Sequence, residues 1–155
     1  MTDLSTYKAT SGTLIPVWRL EIQIRPDDAD RILDAIMEVH PLDYGRYQRN
    51  ATVSAIGAET AQPEENSTTT THIDGFEAGS TETYPMVQLF IAIERDEDVL
   101  AKVMDAVIWA HHYEEPVIYI RDEWASRAAY NPNSDNPNRW WNDGRGMPEK
   151  VSLSR

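Results

Sequence analysis

Cysteine is absent from the 155-residue chain. Its absence excludes disulfides and thiolate metal sites and leaves nothing in the composition that points to secretion. Lysine is nearly absent too: Lys8, Lys102 and Lys150 are the only three. Against 26 aspartates and glutamates stand only 14 lysines and arginines, so the formal net charge is −12. A nucleic-acid or polyphosphate partner needs a basic surface, and none is offered, so DNA and RNA are not expected partners. No apolar run approaches the roughly 20 residues that cross a bilayer, so no membrane partner is expected either. The stretch MTDLSTYKATSGTL is polar and has no signal-peptide core; a cytoplasmic protein is the expectation. The length suits one domain with tails, large enough to bury a sound core.

Within that frame the chain repeats itself. Leu20, Ile22 and Ile24 in LEIQIRPDDADRILDAIMEVH match Leu89, Ile91 and Ile93 in LFIAIERDEDVLAKVMDAVIWAH. After a two-residue shift, DAIMEVH matches DAVIWAH. Each copy starts with strict alternation, the mark of a half-buried strand. An acidic cluster follows, Asp27-Asp28 or Asp96-Glu97-Asp98, as suits a first helical turn at the positive end of the dipole. Then come helical stripes: Ala29, Ile32, Leu33 and Ile36 in the first copy, and Val99, Leu100, Val103, Met104 and Val107 in the second. A further strand is expected after each, within Tyr47–Ile56 and from Pro116 onward.

Two β-α-β units predict an α+β, ferredoxin-like βαββαβ sandwich: a four-stranded antiparallel sheet with two helices on one face. The expected boundaries are a flexible N-terminal arm at 1–16, the domain at 17–127 and an extended tail at 128–155 that packs on the domain or on a neighbouring subunit. The helices should run antiparallel, which puts His40 and His111 at opposite ends of the layer. A histidine in a last helical turn has a structural use there, bonding free carbonyls.

The stretch AHHYEEPVIYI resembles the A-H-P-Y-E-E-P signature of the small ferredoxin-like domain inserted in NIF-three-like dinuclear-metal proteins. His111, Tyr113, Glu114, Glu115 and Pro116 match it, and His112 stands where the signature has its first proline. A second, weaker match is YGRYQRNATVSAIGAETAQP. That domain is similar in fold to CutA proteins and PII-like regulators. The resemblance implies a homo-oligomer, by analogy a trimer, with ligand sites between subunits. It carries over no catalytic residue and none of the dinuclear-metal ligands, which lie outside the insert.

Imidazole and carboxylate side chains suit a divalent cation. The candidate ligand-binding residues are His111, His112, Tyr113, Glu114, Glu115, His72, Arg46 and Trp140, with His111, Glu114 and His72 as metal candidates. Equally, Glu114 and Glu115 can simply solvate a tight turn. The segment Gly57–Pro85 is too long for an ordinary hairpin; the resemblance to PII-like regulators implies a loop that covers a ligand, with Glu64, Glu65 and Asp74 as further candidates, and a solvated, disordered excursion is the other reading. No cofactor is implied beyond a divalent metal ion. The expected function is small-ligand or divalent-cation binding, of a regulatory kind. The alternative is a lyase, isomerase or hydrolase using the same His/Glu cleft.

Overall fold

The computed structural model describes residues 2–129. Its elements follow the order β1 (Lys8–Ala9), β2 (Gly12–Ile24), α1 (Ala29–Met37), β3 (Ala51–Val53), β4 (Gly57–Ala61), α2 (Thr68–His72), β5 (Glu82–Glu94), α3 (Glu97–Ala110) and β6 (Ile118–Ala128). All strand pairings are antiparallel. At the centre, β2 pairs with β5 from Val17↔Glu94 to Ile24↔Val87. On its other side β2 pairs with β6 from Gly12↔Ala128 to Ile22↔Ile118. β3 and β4 line up one after the other along the outer side of β5.

Alternation in the two central strands fixes the core. Leu20, Ile22 and Ile24 are wholly buried, as is Leu89, and Ile91 and Ile93 nearly so. The register sets Leu20 beside Ile91 and Ile22 beside Leu89, apolar pairs on one face. Ile32, Leu33 and Ile36 of α1 and Val103 and Val107 of α3 close over them, with Leu42. Asp96 begins α3: its Oδ1 accepts from the amides of Asp98 at 2.9 Å and Val99 at 3.1 Å.

The structure departs from expectation in four places. Among the described residues there are six strands and three helices, not four and two. The N-terminal arm is not free: residues 8–9 form β1, and β2 already begins at Gly12. The second strand is only Ala51–Val53, with Tyr47 75% exposed before it. The long loop is partly built: β5 starts early enough to give β4 a partner from Gly57↔Met86 to Ala61↔Glu82, and α2 sits beyond. Ser54 marks the break between β3 and β4, where its Oγ, not a backbone carbonyl, accepts the Gln88 amide at 2.9 Å.

Candidate functional site

The duplication gives the two helix ends the same device. His40 Nδ1 accepts the Leu42 amide at 3.0 Å, and His111 Nδ1 accepts the Tyr113 amide at 3.0 Å. Each ring therefore carries its proton on Nε2, which donates to Glu94 Oε2 at 2.8 Å in one case and to the Gln23 carbonyl at 2.8 Å in the other. These contacts lie at opposite ends of the central strands, as the topology predicts. Burial is the main cause pushing the His111 pKa down, which keeps the ring neutral. With both nitrogens engaged, His111 has no lone pair to spare for a cation. Its expected companions do not gather round it either: among the described residues no group of three His, Asp or Glu side chains is placed to hold a metal ion.

His112 breaks the symmetry. The repeat places Pro41 at the equivalent position of the first copy. Here Nδ1 of His112 lies 2.7 Å from Oδ2 of Asp28, whose other oxygen is 3.2 Å from Arg31 Nη2. Asp28 is only 4% exposed. It occupies the N-cap position of α1, yet its side chain makes no capping bond, unlike Asp96 at the start of α3. Its carboxylate is spent on the histidine instead. Burial pushes the Asp28 pKa up, but the His112 and Arg31 contacts outweigh it and the net direction is down, so the group is an anion.

An anionic acceptor at 2.7 Å assigns the proton to Nδ1 of His112. Arg31 Nη2, 3.0 Å from that nitrogen, is then serving the carboxylate beyond it. The remaining nitrogen, Nε2, has no hydrogen-bond partner among the described residues, and the side chain is half exposed. A carboxylate-oriented imidazole with its outer nitrogen open is fit to ligate a cation, to accept a ligand's proton or to serve as a general base.

Tyr113 and Glu114 extend this corner. Among the described residues the buried Tyr113 hydroxyl has no hydrogen-bond partner, and its ring meets His111 edge-on at 4.8 Å. Burial pushes the phenol pKa far up, and the negative charge of Glu59 in β4 adds to it. Glu114 reaches across to the stretch between β4 and β5. Its Oε2 accepts from the Thr68 amide at 2.8 Å and from Thr68 Oγ1 at 2.9 Å, fastening the start of α2. Those two donors hold its carboxyl below the ordinary value of 4.5. Glu114→Ala is therefore expected to speed amide exchange at Thr68–Thr70, read by hydrogen–deuterium exchange. In the unaltered chain this protection is present above pH 4.5 and is lost as pH falls through the depressed folded value; equal exchange in both proteins would dismiss the tether.

Of the other expected residues, His72 lies on α2 with Nδ1 2.7 Å from Thr71 Oγ1, near enough to Glu114 to lower its pKa. Glu115, Glu64, Glu65 and Asp74 are exposed. Arg46 is not part of this corner. It sits in the turn bridged by Tyr44 and Tyr47, and Tyr44 is bonded to Ser126 at the far end of β6. Trp140 and the tail from residue 130 on lie outside the described residues. The sequence did not single out Asp28 or Arg31 as site residues. A usable signal existed, since an aspartate at a helix start and a histidine in place of a proline are both visible, but nothing local joins them.

The architecture matches known structures. A Bacillus cereus protein related to NIF3 superposes with a TM-score of 0.55 at 18% identity, covering 74% of this chain and 27% of that one. The divalent ion tolerance protein CutA1 from Ehrlichia chaffeensis superposes with a TM-score of 0.50 at 13% identity, covering 83% of this chain and 92% of that one. The fold is ferredoxin-like. A looser likeness, TM-score 0.44 at 15% identity over 74% of this chain and 98% of that one, links this ferredoxin-like chain to a nitrogen regulatory PII-like protein from Thiomonas intermedia K12. The chain thus spans about a quarter of the NIF3-related protein and most of the other two. No family model matches the sequence, and no curated protein does. At these identities the ferredoxin-like resemblance establishes fold and nothing of chemistry.

Proposed function

We propose that this chain is a binding protein of the CutA/PII-like kind, taking a small ligand or a divalent cation at the His112 corner. The observation that carries the reading is the buried Asp28 holding His112 by Nδ1 with Nε2 left open. A cation would need further ligands from a neighbouring copy, because a single chain does not assemble three among its described residues. Homo-oligomerisation, a trimer by analogy, would supply them. The outer edge of β6, which pairs only with β2 among the described residues, favours association. Acid–base catalysis on a small molecule is the second reading, supported by the same Asp–His geometry.

Thermal melts of the full chain against divalent cations and small metabolites test the proposal. A native-state ligand raises the melting temperature by mass action, and His112→Ala is expected to remove the rise, with a lower ligand-free melt as well because buried Asp28 loses a partner. A shift of equal size in the variant, or none across the panel, would count against it. Turnover that depends on His112 would favour the second reading.

A further inference from the structure

The outer surface of the two helices carries an apolar patch that the fold does not use. Trp109 is 92% exposed, with Ile108 at 51% and Val39 at 44% beside it. Position 109 faces solvent as its equivalent does, since the repeat places Glu38, at the C-terminal cap of α1, in register with it. Ala35 and Ala106 leave an open groove of about 850 Å³ between the helices next to that indole. Beside its core stripe α3 thus carries exposed Ile108 and Trp109 on its outer surface, an apolar pair that favours a covering partner. A bare indole beside two aliphatic side chains is of the kind that anchors an interface.

We infer that this surface joins two copies of the chain about a twofold axis, through their α1–α3 faces. The groove carries one cation and two carboxylates, a mixed set that a second copy can answer in kind. Lys102, one of only two lysines among the described residues, lines it together with Glu38 and Asp105. Lys102, Asp105, Ala106 and Trp109 fall at i, i+3, i+4 and i+7, a single stripe of α3. An antiparallel crossing of two α3 helices centred on Asp105–Ala106 sets each Lys102 against the partner's Trp109 and within reach of the partner's Asp105. The lysine then answers a π face and a carboxylate at once, the small Ala106 permits close approach, and the contact is self-complementary as a twofold interface requires.

Sedimentation velocity on the full chain tests this. Trp109→Glu is expected to halve the assembled mass at micromolar concentration and to weaken association at least 100-fold. Lys102→Glu is expected to do the same, and mixing it with Asp105→Lys to restore mixed pairs. All three substitutions lie on the surface, so an unchanged far-ultraviolet spectrum and melt separate lost association from misfolding. An unchanged mass in Trp109→Glu overturns the inference. So does exchange protection over 101–109 that is insensitive to dilution, which would mean that the chain's own tail or another partner covers the face. The outcome is independent of the proposed trimer: six copies fall to three if that holds, and two fall to one if it does not.

Discussion

Ile36→Ala is expected to destabilise the protein by about 2–5 kcal/mol, as for other large-to-small changes in a packed core. Ile36 is 0% exposed, and so is Val107, its counterpart in the second copy. Val107→Ala should cost less, because valine loses two carbons where isoleucine loses three. Urea unfolding reads both as a lower midpoint at unchanged slope. The pair tests more than packing. If the repeat is a true structural duplication, equivalent positions carry comparable weight in one shared core. A small loss at one site beside a large one at the other would show that only one module is firmly built.

The second large effect is expected at Asp28. Asp28→Asn keeps the shape and removes the charge. Its partners Arg31 and His112 are 40% and 50% exposed and can recover water, so the loss should be about 1–3 kcal/mol. The direction with pH follows from the depressed Asp28 pKa. The carboxylate's contribution is fully present above its unfolded value of 3.8 and is lost as pH falls through the folded value. The gap between wild type and variant should therefore hold at neutral pH and narrow only below 3.8. Binding should suffer as well. Without the carboxylate the His112 ring is no longer held to the Nδ1–H tautomer, and losing such an orienting partner typically weakens a ligand about 10–100-fold. Nitrogen NMR of the imidazole together with titration calorimetry follows both effects. A variant that binds as wild type does, with its tautomer unchanged, would remove Asp28 from the site.

These two predictions differ in how far the chain announced them. Ile36 and Val107 were legible because helical spacing and a seven-residue echo place them without reference to anything distant. The strands around Leu20 and Leu89 were legible for the same reason: alternation is local. The Asp28–His112 bond joins residues 84 positions apart, and each has an innocent local explanation, a helix start and a helix end. Only the folded chain shows that Asp28 forgoes capping its own helix. β4 was hidden in another way. Gly57–Ala61 has little strand character of its own and is held straight by Glu82–Met86, which extend β5 beyond the core. Ser67 and Thr70, in a stretch whose composition suggests a loose excursion, cap the short α2 instead. The metal set was the least legible part, since the motif contains the right atoms but His111 uses both its nitrogens on the backbone.

The order in which the sheet is completed bears on how the protein is made. β2 lies near the start of the chain, yet one whole side of it is paired by β6, about a hundred residues later. Until Ile118–Ala128 has left the ribosome, β2 presents a bare ladder of amides and carbonyls to its surroundings. Contacts of such range form slowly, and an unpaired edge of that length recruits other chains. Nascent copies are therefore exposed to aggregation until β6 emerges, and a stop codon ahead of Ile118 would leave them in that state permanently.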